Sequence, residues 1–135
     1  MVAVKEVKGV TEELQPKLKE QGINDSDQLL EKAKTPAGRR ELAGKLGVDP
    51  KVVLELANRA DLVRIKGVAG VYSNLLENAG VDTVKELSGR VPENLQAKLA
   101  QVNEKMKLAN RTPPTVEMVK DWVSQAKALP KTLEY

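Results

Sequence analysis

Apolar residues recur at helical spacing along most of this chain, and no stretch of four or more residues alternates convincingly at the two-residue period of a strand. Val10, Leu14 and Leu18 share one face of a helix predicted from about Thr11 to Gln21, with Gly22 as its stop. Asp25 and Gln28 form the ends of a capping box, which starts a second helix over Ser26 to Ala33. Thr35-Pro36 and Asp49-Pro50 each place a capping residue before a proline at the first helical position. They open helices over Pro36 to Leu46 and Pro50 to Ala60, carrying Leu42, Ala43 and Leu46, then Val52, Val53, Leu56, Ala57 and Ala60. Val68, Tyr72, Leu75, Leu76 and Ala79 make the next stripe, ended by Gly80, and Val84–Leu87 is a short helix capped by Asp82 or Thr83. Val91-Pro92 opens a longer helix to about Leu108, with Leu95, Leu99, Val102 and Met106 on one side. After Thr112-Pro113-Pro114, Thr115 caps a last helix presenting Val116, Val119, Trp122, Val123 and Ala126, and the tail from Leu129-Pro130 is extended. Residues 1–6 are frayed or form a short lead-in helix or strand. Pro16 is unwelcome inside the first helix and shifts its start forward. The prediction is an all-α chain.

The pattern repeats. Fifty-eight positions separate Val7-Lys8-Gly9-Val10 from Ile65-Lys66-Gly67-Val68. In the same register Leu14 falls on Tyr72, Leu18 on Leu76, Gly22 on Gly80, Ile23 on Val81 and Leu29 on Leu87. This reads as one unit duplicated, giving halves at 1–60 and 61–135. In each, a glycine sits where two helices must reverse direction over few residues, because it takes positive φ or approaches a neighbour without a Cβ.

Composition narrows the chemistry. The chain has neither cysteine nor histidine, which excludes thiolate and imidazole metal sites, disulfides and Ser-His or Cys-His nucleophile pairs. Paired carboxylates such as Glu12-Glu13 have no companion catalytic pattern, so the expectation is a non-enzymatic chain with no cofactor or metal. There are 22 Lys plus Arg against 19 Asp plus Glu, for a net charge of +3. The charge is even along the chain: 11 basic and 10 acidic residues up to 60, and 11 and 9 after it. That permits nucleic-acid binding without implying it. Trp122, Tyr72 and Tyr135 are the only aromatics, too few for a platform that stacks single-stranded bases. No apolar run approaches the ~20 residues of a membrane span. With no secretory signal at the N-terminus, a cytoplasmic protein is expected.

Two half-repeats of hydrophobic-Lys-Gly-Val, helix, then Gly-Val/Ile-Asp/Asn resemble tandem helix-hairpin-helix domains. The spans Leu54–Val68 and Thr35–Ala43 resemble, more particularly, the bacterial family catalogued as domain of unknown function 4332. That resemblance covers nearly the whole chain. It implies an all-helical fold with two helix-hairpin-helix-like halves, and no defined activity. Helix-hairpin-helix resemblance implies contact with the double-stranded DNA backbone, without sequence preference, through hairpin N–H groups and nearby cations. The residues expected to make it are Arg64, Lys66, Gly67, Val68, Ala69 and Gly70. The usual Gly-hydrophobic-Gly becomes Gly67-Val68-Ala69 in one copy and Gly9-Val10-Thr11 in the other. Gly70 still lets the second hairpin approach a phosphate, whereas Glu12 and Glu13 repel one from the first.

Each feature has a plainer reading beside the functional one. Lys66 and Arg64 are also readable as solvated charges beside a structural turn. The basic group Lys34, Arg39, Arg40 and Lys45 reads as a solvated helix face, because Glu31 and Glu41 sit among them. Gly38 to Leu46 is one residue too long for a phosphate-binding loop, ends in Leu46 where Ser or Thr is needed, and follows no strand. Arg59 and Asp61 read as a structural ion pair or cap, and Trp122 as a core residue or else a partner anchor. The alternative to DNA contact is a protein partner or self-association through an apolar helix face such as Leu95–Met106, with the hairpins purely structural. The oligomeric state is open.

Overall fold

A computed structural model describes residues 2–68, 71–106 and 113–134. Among them are eight α-helices and no strand beyond an isolated bridge between Ala3 and Asp25. The chain divides into two compact units, Met1–Arg64 with Thr132–Tyr135, and Ile65–Lys131.

The first unit begins with a 3-10 turn, Val4–Glu6, and holds α1 (Leu14–Glu20), α2 (Ser26–Ala33), α3 (Pro36–Leu46) and α4 (Pro50–Leu62). The predicted starts of α2, α3 and α4 are those observed. Asp25 Oδ1 accepts the Gln28 N–H at 2.8 Å, Thr35 Oγ1 that of Gly38 at 3.0 Å, and Asp49 Oδ1 that of Lys51 at 2.9 Å. Each satisfies a first-turn donor that the helix itself leaves open. The first helix starts at Leu14, three residues later than the predicted Thr11, so that Pro16 falls in the first turn, where its missing N–H is not needed. α4 runs two residues past Ala60, because Leu62 is itself fully buried. α4 packs on α2 and α3, and α1 packs on α3. Leu18, Ile23, Leu29, Leu46 and Leu56 fill the centre.

The C-terminal residues belong to this unit, not to the second half. Arg39 is buried; its Nη1 donates to Ala33 O at 3.0 Å and its Nη2 to Glu134 O at 2.6 Å. Glu134 N–H donates in turn to Lys34 O at 2.8 Å, and Leu133 packs against the core. The end of α2 thus holds the tail twice, from Ala33 O through the Arg39 guanidinium and from Lys34 O directly.

The second unit holds α5 (Val71–Asn78), α6 (Val84–Ser88), α7 (Pro92–Met106) and α8 (Val116–Ala128). α8 packs on α6 and α7, and α5 packs on α7. The packing of α8 on α6 and α7 and of α5 on α7 matches that of α4 on α2 and α3 and of α1 on α3 in the first unit. Main-chain bonds match too. Ile23 N–H bonds Leu18 O at 3.0 Å and Val81 N–H bonds Leu76 O at 2.8 Å, while Gly22 N–H reaches Lys19 O and Gly80 N–H reaches Glu77 O, both at 3.0 Å. Both sets are the paired bonds that close a helix over a glycine. The capping residues Asp25 and Thr83 also stand fifty-eight apart. The predicted end of α7 near Leu108 lies outside the described residues.

Candidate functional site

The second hairpin is built by burying its ends and leaving its centre out. Ile65 and Val68 are fully buried, and Val68 N–H donates to Ile65 O at 3.2 Å. Gly67 between them has φ +94°, and a Cβ there would meet Trp122 Nε1 at 3.2 Å. The first hairpin has the same form. Val10 N–H donates to Val7 O at 3.1 Å, Gly9 has φ +100°, and a Cβ on it would meet Leu56 Cδ2 at 3.0 Å. Leu56 and Trp122 are each the seventh residue of their helix, α4 and α8. In both units, then, the fourth helix presses one large side chain against the hairpin glycine, and any other residue there meets strain as well as contact. Trp122 is a core residue, its ring 5.3 Å from that of Tyr72 and tilted by 54°.

α8 also fixes the second hairpin by hydrogen bonds that the sequence did not announce. Gln125 Oε1 accepts the Lys66 N–H at 2.8 Å, and Gln125 Nε2 donates to Lys66 O at 3.2 Å. Nε2 also donates to Asp121 Oδ2 at 2.8 Å, which sets which way the amide faces. The carboxamide thus pairs with a main-chain N–H and C=O as a neighbouring strand would. No sequence signal marks this, because the partners stand 59 residues apart and Gln125 reads as one more polar position on α8.

Of the six residues expected at a phosphate, four are described. The Lys66 side chain is exposed, while its own N–H is held by Gln125. Gly67 lies beside it, with no hydrogen-bond partner for its N–H among the described residues. Val68 faces the core. Arg64, the last residue of the first unit, donates from Nε at 3.0 Å and Nη2 at 2.6 Å to Oδ1 of Asp61, a carboxylate that is itself buried. Its charge is therefore engaged by a near neighbour on the chain. Ala69 and Gly70 lie outside the described residues. The cation at this hairpin is Lys66.

Of the basic group singled out in the sequence, Arg40 is exposed and the other three have structural partners. Lys34 pairs with Glu31 at 2.8 Å and Lys45 with Glu41 at 3.2 Å, and Arg39 binds carbonyls as described above. The hydrogen bond that Lys34 donates to Glu31, and then the Glu31 charge, hold the Lys34 ammonium above its ordinary pKa. Gly38 permits close approach of two helices: a Cβ there would meet Lys32 O at 2.5 Å. Leu95, Leu99 and Val102 are buried within their unit, so that of the apolar face Leu95–Met106 only Met106, 51% exposed, is left at the surface. Among the described residues no three carboxylates gather as a metal site would require, and no helix is long and apolar enough to cross a membrane.

A family model described as domain of unknown function (DUF4332) matches residues 8–129. The chain belongs to the DUF4332 family. The matched span of the DUF4332 chain takes in both hairpins and all eight helices. Comparison with curated proteins and with solved structures gave no match.

Proposed function

We propose that this DUF4332 chain is a non-catalytic binding module, made of two helix-hairpin-helix-like copies of one ancestral unit, that contacts the double-stranded DNA backbone through its second hairpin. The observation that carries this reading is an exposed Lys66 beside a positive-φ glycine, on a turn that Gln125 locks from behind. A turn already ordered loses little freedom when it meets a phosphate. The contact rests on the Lys66 ammonium and the Gly67 N–H, with Ala69 and Gly70 following in sequence. Arg64 supports it less directly, through its pairing with Asp61. The duplication is supported by the matching caps, glycine conformations and main-chain bonds of the two units. A cytoplasmic setting is part of the same proposal.

The first hairpin serves structure in this reading. Thr11 stands where a second glycine would, its Oγ1 accepting the Leu14 N–H at 3.1 Å, and Glu12 and Glu13 follow it. Burial of Leu95, Leu99 and Val102 weighs against a protein partner on that face.

Fluorescence anisotropy of a labelled DNA duplex tests the reading. Binding at low salt that weakens steeply as salt rises, and is lost in Lys66→Glu with helicity unchanged, is the expected result. Binding that Lys66→Glu leaves intact removes the hairpin as the site. No binding even at low salt, where electrostatic attraction is strongest, removes DNA as the partner.

A further inference from the structure

The first unit holds a groove that owes nothing to either hairpin glycine. It is open, about 250 Å³ in volume, and lined by Ala3, Val4, Lys5, Gln15, Lys19 and Asn24. Two of these residues carry amines and two carry carboxamides, and none carries a carboxylate. The walls are fixed to each other by the main chain. Val4 N–H donates to Asn24 O at 3.0 Å, and Ser26 N–H donates to Val2 O at 2.8 Å. Gln15 and Lys19 stand four apart on α1 and so share a face.

The donors at this groove are uncommitted. Among the described residues Lys5 and Lys19 form no ion pair, and the side chains of Gln15 and Asn24 form no hydrogen bond. The acids nearest the groove already accept main-chain N–H groups: Glu6 Oε2 that of Ala3, on the groove wall, at 3.2 Å, and Asp25 Oδ1 that of Gln28 at 2.8 Å. The repeat does not carry these residues into its second copy. Fifty-eight residues on from Lys5, Gln15, Lys19 and Asn24 stand Val63, Ser73, Glu77 and Asp82, among which there is no amine and Glu77 and Asp82 are carboxylates in place of Lys19 and Asn24. The groove is thus a difference between the two units, not a consequence of the fold they share.

We infer that this groove binds a phosphoryl dianion, free or as a monoester, between the ammonium groups of Lys5 and Lys19, with Gln15 and Asn24 supplying neutral N–H donors. Two cations match two negative charges, and every donor is on hand without breaking an internal bond. The site is independent of the DNA contact assigned to Lys66.

The test is an amide NMR titration of the full-length protein with inorganic phosphate and, separately, methyl phosphate, each against sodium chloride at equal ionic strength. Saturable shifts centred on Lys5, Lys19 and Asn24 are expected. Neutralising one lysine weakens binding at least about fivefold, from about 1 kcal/mol for each water-exposed pair of unit charges at 4 Å. Lys5→Gln/Lys19→Gln together weaken it more than tenfold, while Lys45→Gln and Lys66→Glu leave it unchanged. Equal saturation by methyl phosphate assigns the site to a monoester; saturation by inorganic phosphate alone assigns it to the free ion. Shifts that never saturate, that chloride reproduces, or that survive the double substitution overturn the inference.

Discussion

The two hairpin glycines make the sharpest test of how the chain turns. Gly9 and Gly67 have φ of +100° and +94°, and each faces a buried side chain of its unit's fourth helix, Leu56 or Trp122. Replacing either with alanine forces an L-residue into left-handed backbone, at about 1–2 kcal/mol. Alanine also stiffens the unfolded chain, which returns about 0.4–1 kcal/mol where the native backbone suits it, and this one does not. The new methyl must then displace Leu56 Cδ2 from 3.0 Å or Trp122 Nε1 from 3.2 Å. Both partners are packed, and overpacking of this kind adds about 1 kcal/mol or more. Gly9→Ala should therefore lose about 2–3 kcal/mol, with Gly67→Ala close behind. Gly44 is the internal control. It lies in α3, exposed, with nothing within 4 Å of a built Cβ, so Gly44→Ala should gain about 1 kcal/mol from helix propensity. Urea denaturation followed by circular dichroism measures all three. For units of this size each kcal/mol moves the thermal midpoint by roughly 4–8 °C, so melting curves separate them too. If Gly9→Ala and Gly67→Ala stay within about 0.5 kcal/mol of the wild type, the turns do not depend on glycine, and the account of both hairpins is wrong.

Three further outcomes follow from named contacts. Gln125→Ala removes both bonds to the Lys66 main chain and should cost about 1–2 kcal/mol while leaving helicity unchanged; hydrogen exchange should quicken at the Lys66 amide before it does elsewhere, and unaltered protection there would rule out the clamp. Arg39→Ala should cost about 2–3 kcal/mol, from charged hydrogen bonds to the Ala33 and Glu134 carbonyls, and the Glu134 amide should lose its protection; a protected tail in that variant would show that Leu133 and the Glu134–Lys34 main-chain bond hold it without the guanidinium. Lys34 has its pKa raised by Glu31, so its contribution is whole below the ordinary lysine value of 10.5 and disappears as pH rises through the folded pKa. Lys34→Met should flatten the alkaline limb of a stability–pH curve and leave its acid limb nearly as it was, whereas an unchanged alkaline limb refutes the pairing.

Local information in the sequence determined most of the helices. Capping residues followed by prolines at Thr35-Pro36 and Asp49-Pro50 act within a single turn, so they fix α3 and α4 whatever surrounds them. The apolar spacing that predicted Leu18, Leu46, Leu56, Leu76 and Leu99 inside is likewise a property of one helix at a time, and all five are buried. Gly9 and Gly67 were legible because positive φ has few occupants. The sequence could not show what meets those glycines, because Leu56 and Trp122 lie far along the chain and reach the turns only when α4 and α8 fold back. For the same reason Gln125 read as a solvent-facing polar residue, although it holds the Lys66 main chain. Charge misled more than apolarity did. A lysine or arginine in sequence carries a full charge, but its reach depends on neighbours. Arg64 lies against buried Asp61, Arg39 closes on two carbonyls, and Lys66 stays in solvent. Helix type and register come from short-range periodicity, whereas the availability of a cation comes from burial and pairing, and these exist only once distant segments have been brought together.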